Sequence, residues 1–557
     1  MKKKETLIIL GSLLVIILSV SVAYFTTKIT SKNRKVTVIS SELKMVFTSG
    51  TGTISGTEIK PGWSSGVNSF TVKNESNGIY KYNIIIKDLV NTFVTTGYLQ
   101  YKITSADGGY NMSEFKDVPK SDAAKDEVLA YSVEIAKGKT HSYSVEFKYL
   151  NSETESQDED MGKTLSGNLY IEKGTVDPHS PYIEGTLGWK IMDDNKTRLT
   201  RTDFDSTFTE TNTGTLYKAT ESIASSTPKD VYYFAGNAKN NWVKFGKYQS
   251  DKVVYRGYST ATNSDYKDYL TMDACTSATS YNINCTEHIF WNKGNDIYWR
   301  IIRTNHDGSI RLLYSGTSPN TTEGYIGGSV FNSTHNDSMY VGYMYGTSGS
   351  QANNRLNTND STIKTFIDNW YSTNLSSYSK YISTEAVYCN DREVGSGTYS
   401  ANGSTFDYAA YTRLSTNKTP TYNCAVKEDS FSSSTTGGGN GKLEYPIALM
   451  TVDELTYAGG KYYTNLTNLY AWYYLNSTGG SITGDIYWWS LSPRFWNESG
   501  SGVWHVYGFD HQGLLGDGYV DIKRGVRPAI SLKTCTLWTS GNGAPETPYE
   551  ISTTSGC

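Results

Sequence analysis

Twenty consecutive uncharged and mostly apolar positions, Thr6 to Phe25, follow Lys2-Lys3-Lys4 at the start of this 557-residue chain. A helix of that length rises about 30 Å, the thickness of a bilayer's hydrocarbon core. The run has no polar stripe, so it does not fit an amphipathic helix packed on a core. Basic residues ahead of it place the N-terminus inside and the bulk outside, although Lys28, Lys32, Arg34 and Lys35 weaken the asymmetry. Val20-Ser21-Val22-Ala23 offers small residues to a signal peptidase, so a cleaved secretory signal competes with a membrane anchor. Either way the polar mass is expected outside the membrane, as a single-pass surface protein or a secreted one.

Cysteine usage agrees with export. Cys275, Cys285, Cys389, Cys424, Cys535 and Cys557 are even in number, as expected of disulfides in an oxidising compartment. Six cysteines permit about 15 pairings. Proximity along the chain favours Cys275 with Cys285, Cys389 with Cys424 and Cys535 with Cys557, without excluding the others. No C-x-x-C pair supports zinc, and no metal ligand set is assigned.

The net charge of -4 grows more negative once Lys2 to Lys4 are set aside, and the lysines are not clustered, which argues against a nucleic-acid partner. With 45 Tyr, 12 Trp and 17 Phe the chain has ample material for two or three cores. Its richness in Tyr, Ser, Asn, Thr and Gly is that of a recognition surface, and equally of a secreted β-protein.

Hydrophobic patterning divides the chain. Between Val36 and Glu172 the period is two. Tyr80, Tyr82, Ile84 and Ile86 share a face, and Tyr131, Val133 and Ile135 lead through Lys137-Gly138-Lys139 to Tyr143, Val145, Phe147 and Tyr149, a hairpin signal. An all-β sandwich is expected over 36–172, after a segment 1–35 comprising the cytoplasmic tip, the anchor or signal and a juxtamembrane stretch. Pro178, Pro181 and runs of Thr and Asp read as a linker over 173–214. From 215 to 557 hairpins mix with short helices. Tyr298 to Arg303 turns at Asp307-Gly308 into Ser309 to Tyr314. Ile363, Phe366, Ile367 and Trp370 predict a helix after Asp360 or Ser361, and Thr451 with Glu454 predicts a capping box ending at Gly459-Gly460. This half is expected to be α+β.

Ile59-Lys60-Pro61-Gly62 and Phe70-Thr71-Val72-Lys73-Asn74, with Ala23-Tyr24-Phe25 at the end of the apolar run, resemble the TasA and camelysin family of β-sandwich proteins exported by Gram-positive bacteria. The resemblance implies a surface or fibre module capable of self-association. It does not imply protease activity, and no H-E-x-x-H motif is present.

Near the other end, Trp488-Trp489-Ser490-Leu491-Ser492-Pro493 followed by Gly525-Val526-Arg527-Pro528-Ala529 resembles a family of bacterial extracellular domains whose usual form is W-W-L-R-S-P and then G-V-R-P-A. Tyr388-Cys389-Asn390-Asp391-Arg392, and Leu449 to Glu454 with Tyr457-Ala458-Gly459-Gly460, are similar to the same group. The resemblance implies a C-type lectin-like fold, distantly similar to the formylglycine-generating enzyme, with Trp488, Trp489, Pro493, Gly525, Arg527 and Pro528 as structural motif residues. Two departures matter. Leu491 stands where the family has Arg, removing a five-donor group. Cys535 and Cys557 are too far apart in sequence to match the enzyme's closely spaced copper-binding cysteines, so no such oxidase activity is expected.

Trp496, Trp504, His505, Tyr507 and Asp510, in Gly- and Ser-rich surroundings, are the candidate ligand-binding residues for a glycan or protein outside the cell. Trp496-Asn497-Glu498 with Asp510, Asp517 and Asp521 leaves calcium open as a cofactor, although acids beside Gly513, Gly516 and Gly518 are ordinary turn formers. His505, Asp510 and His511 form the one local histidine cluster, but no G-x-S-x-G elbow accompanies them and no catalytic residue is assigned. The expected function is a surface-anchored binding protein or adhesin. A fibre-forming matrix protein and a glycan-acting enzyme are the alternatives.

Overall fold

The computed structural model describes the backbone of four short strands between 26 and 56, then residues 59–557 apart from 77, 155, 176, 178, 209–211, 225, 263–264, 465, 467–470, 478, 480–481, 484–485 and 509–512. The apolar run 6–25 lies outside the described residues. Among those described, no helix is long and apolar enough to cross a membrane. The chain forms two units, Met1–Pro178 and His179–Cys557.

The first unit is a β-sandwich. One sheet orders Ser121–Ile135, Tyr80–Asn91, Thr164–Lys173, Thr26–Ile29 and Ile54–Gly56; the other is built around Thr140–Tyr149, flanked by Asn68–Asn74 and Leu99–Ser105. Tyr82, Ile84 and Ile86 from the first and Val72, Phe147 and Tyr149 from the second join one core, as the period-two pattern requires. The expected hairpin does not form. Ser121–Ile135 ladders with Tyr80–Asn91, whereas Thr140–Tyr149 ladders with Asn68–Asn74 and Leu99–Ser105. The turn at Gly138, with φ of 71°, therefore carries the chain from one sheet to the other. The sandwich also reaches further than 36–172. Thr26–Ile29, expected in the juxtamembrane stretch, pairs in parallel with Thr164–Lys173, consistent with its β-branched Thr26, Thr27 and Ile29.

The second unit takes in much of the stretch expected as linker. Leu187–Asp194 is a helix whose N-cap Thr186 accepts from Trp189 N at 3.3 Å, with Leu187, Ile191 and Met192 buried. Thr197–Thr200 then pairs in parallel with Thr215–Glu221. Prolines and threonines dominate the local composition and mask this short apolar face. Beyond it, Asp296–Thr304 and Ile310–Tyr314 form the predicted hairpin, and Pro528–Leu532 ladders onto its far strand. Helix Thr362–Asn374 starts at Ser361, which accepts from Lys364 N at 3.3 Å, and buries Ile363, Ile367 and Trp370. Cys275–Cys285, Cys389–Cys424 and Cys535–Cys557 are all bonded.

The motifs around Cys389 and Thr451 converge on a buried ion network. Helix Val452–Tyr457 has the predicted capping box. Its Glu454 Oε2 accepts from Thr451 N at 2.9 Å, while Oε1 accepts from Arg303 Nε and Arg311 Nη1, both at 2.8 Å. Arg303 also donates to Glu221 Oε1 at 2.8 Å. Burial opposes ionisation of both carboxyls, but the arginines hold Glu454 and Glu221 below the usual carboxylate range. Arg413 joins Asp453 at 2.7 Å and Asp391 at 3.0 Å beside them. The cavity here is about 20 Å³, room for a single water and nothing larger. Replacing Thr451 by Ala, which removes the cap alone, should cost about 1 kcal/mol in urea denaturation.

Candidate functional site

The sheet that carries the tryptophan motif is built on Trp488–Asn497, antiparallel to Gly500–Val506, which in turn ladders with Leu515–Tyr519. The motif residues are its frame. Trp488 and Trp489 are fully buried, and Trp489 Nε1 donates to Ser329 O at 3.0 Å. Pro493, which has no N–H, sits between register shifts in the ladder, where its missing donor is tolerated. Gly525 donates to Tyr487 O at 2.7 Å, and a Cβ there would lie 2.7 Å from the Tyr325 ring. Arg527 is buried over the Trp488 ring and donates to Tyr314 O, Ser315 Oγ and Tyr473 O. Among the described residues it has no carboxylate partner, and burial draws it down to about 10. Pro528 opens the strand Pro528–Leu532 and pairs with Leu449. Leu491 is also buried. Its N–H donates to Met450 O at 2.9 Å and its carbonyl accepts from Asn390 Nδ2 at 2.7 Å, so this position serves packing and cross-linking of the core.

Two of the candidate ligand residues require correction. Trp496 and Trp504 are 3% and 0% exposed, so neither offers a ring face for stacking. The glycines around them are close-packing positions: a Cβ on Gly502 would lie 2.4 Å from the Phe495 ring. Asp510 lies outside the described residues, as does His511. Among the described residues no three His, Cys, Asp or Glu groups gather as a metal site. Asp517 instead meets Arg494, and Asp521 meets His335.

His505 and Tyr507 do line a pocket, of about 520 Å³, within the roughly 300–1,000 Å³ of small-ligand sites. It is shared with Asp407, Tyr462, Arg494, Phe495, Asn497, Asp517, Tyr519 and Arg524. Arg494 is its charged centre. It donates to Asp407 Oδ1 at 2.5 Å, approaches Asp517 Oδ2 at 3.3 Å and stacks 3.4 Å over the Tyr411 ring. Burial opposes its charge, but Tyr462 and the two aspartates hold the guanidinium above its ordinary range. Burial likewise raises Asp517.

His505 is 1% exposed, stacked at 5.8 Å on Tyr487 and 4.8 Å from Tyr507. Among the described residues neither ring nitrogen has a hydrogen-bond partner. Burial, with the nearby Arg524 charge, lowers it to about 3, leaving a neutral imidazole with one donor and one acceptor. In the unfolded chain the same ring takes up a proton below about pH 6.5. The native advantage is therefore complete above about 6.5 and is lost toward pH 3 at about 1.4 kcal/mol per unit. Relative to wild type, His505→Phe should gain about 2 kcal/mol at pH 5 compared with pH 7.5. Urea denaturation at both pH values checks this, and an unchanged difference would refute it.

Arg494, Asp407 and Tyr462 carry no sequence motif, and they were not legible as site residues. Asp517 was visible only as an acid among glycines. No protein-family model matches this chain, and no curated protein matches it in sequence.

Proposed function

We propose that this chain is a bacterial cell-surface recognition protein, tethered or secreted through its apolar N-terminal run, with its ligand site in the second unit. The resemblance to TasA and camelysin supports a surface module for the first unit, and the resemblance carried by the W-W-x-x-S-P and G-V-R-P-A motifs supports a C-type lectin-like fold for the second. Three disulfides support an extracellular setting. The observation that carries the reading is the pocket of about 520 Å³ in which Asp407, Asp517 and Tyr462 gather around Arg494. A cavity of that size with convergent charged and hydroxyl groups is the usual form of a small-ligand site.

The test uses Thr405→Trp, because Thr405 is exposed at the pocket rim and a bulky ring there fills the cavity without touching the core. Trp504→Ala would report packing instead. Wild-type and Thr405→Trp full chains are screened against glycans and extracellular proteins with and without calcium. A ligand whose affinity falls at least about tenfold in the variant, equal to about 1.4 kcal/mol, supports the reading. Ligands bound equally by both forms would refute it.

A further inference from the structure

The pocket takes its lining from both faces of one sheet, which is possible only where a cavity wraps a sheet edge. Successive side chains of a strand point to opposite faces, so Trp504 and His505 look opposite ways. Asp517 pairs directly across from Trp504 and shares its face with Tyr462, whose ring is 5.0 Å from Trp504, and with Arg494. His505 shares the other face with Tyr507. There the edge strand has no side chains: a Cβ on Gly516 would lie 2.2 Å from the Tyr507 ring, and one on Gly518 3.2 Å from His505 Nδ1.

The strand that the pocket wraps is Leu515–Tyr519. Its inner side is fully laddered to Gly500–Val506. On its outer side, Leu515 N donates to Lys461 O at 3.0 Å and Leu515 O accepts from Tyr463 N at 2.9 Å, which starts a parallel bridge. Backbone groups of alternate residues point the same way. The N–H and C=O of Asp517 and the N–H of Tyr519 therefore point outward beyond that bridge. Tyr519 O accepts from Ile522 N at 3.2 Å in a turn. Among the described residues no strand continues the pairing past Leu515.

We infer that this edge accepts an extended polypeptide segment of a partner protein as an added strand, with the pocket receiving its side chains. The inference rests on the reading of this pocket as the recognition site. Main-chain bonds to Asp517 and Tyr519 supply affinity, and alternate side chains supply specificity. The half-pocket on the Trp504 face supplies the charge. On the Trp504 face Asp407 and Asp517 share the single Arg494, which suits a basic or hydroxyl side chain. The residues of the added strand that face Trp504 therefore include a basic or hydroxyl side chain.

Random heptapeptides displayed on phage are panned against the detergent-solubilised full chain, and the enriched peptides are synthesised with single N-methyl groups walked along the backbone. The inference predicts enriched peptides that share a basic or hydroxyl residue. Their affinity should fall at least about tenfold with Thr405→Trp, and again with N-methylation at alternate positions, while intervening positions change it less than about twofold. Tyr519→Pro, which removes one outward donor at an edge where proline is tolerated, should weaken binding similarly. Peptides blocked by Thr405→Trp but indifferent to N-methylation would overturn strand addition and leave the recognition site standing. Oligosaccharides blocked by Thr405→Trp, with no enriched peptide, would do the same. Peptides and oligosaccharides that all ignore Thr405→Trp would overturn the site and the inference together.

Discussion

Replacing Glu454 by alanine is expected to destabilise the second unit by about 3–5 kcal/mol, because it leaves buried charge without its counter-charge. The carboxylate is shared by Arg303 and Arg311, each with a side chain no more than 3% exposed. Neither guanidinium can move to water, and both keep their charge when the acid is gone. Arg303 retains Glu221, so Arg311 is the more exposed to the loss; among the described residues its other hydrogen-bond acceptor is the Val387 carbonyl. The same substitution removes half of the capping box, since Glu454 Oε2 accepts from Thr451 N. Every tryptophan except Trp63 lies in this unit, so urea denaturation followed by tryptophan fluorescence reads it selectively. Glu454→Gln should recover part of the cap and little of the ion pairing. A loss below about 1 kcal/mol for the alanine variant would mean that the network is strongly screened, as surface ion pairs are.

Removing the Cys389–Cys424 bond should cost about 4 kcal/mol in the chain-entropy account, the largest of the three disulfides. It closes a separation of 35 residues, against 22 for Cys535–Cys557 and 10 for Cys275–Cys285. Cys424 is also anchored on both sides, donating to Ser222 O at 2.9 Å and accepting from Ala224 N at 2.8 Å. The bond borders the Glu454 network. Losing it therefore loosens the segment that brings Asp391 and Arg413 to that network. The Cys389→Ser/Cys424→Ser pair in urea denaturation measures the cost, and a loss no greater than that of the Cys275 and Cys285 pair would contradict the ranking. The wild-type chain in thiol reductant, where all three bonds open, should weaken at least as much.

What was legible in the sequence follows the range of the interactions. Ser361 and Thr451 were readable as helix starts because a cap acts over three residues, and the turn at Asp307-Gly308 because it needs only a positive φ at Gly308. Cysteine pairing was readable because the partners are near in sequence. Sheet assignment was not. Ser121–Ile135 and Thr140–Tyr149 have the pattern of a hairpin, yet alternation marks a half-buried strand without naming its neighbour. Trp496 and Trp504 were misplaced for a related reason. Glycine and serine around an aromatic read as an exposed loop, but here Gly502 makes room for a packed ring. The pocket's centre was the least visible part. Arg494, Asp407 and Tyr462 are separated by tens of residues and meet only after the sheet has formed.

Hydrogen–deuterium exchange of the full chain, with and without the tightest ligand found by peptide or glycan screening, tests the location of the recognition site most directly. The prediction is protection concentrated in 500–522 and around Tyr462, with the amides of Asp517 and Tyr519 slowed most if the ligand is an added strand. Protection confined to the β-sandwich, or spread over the second unit without these residues, would contradict it.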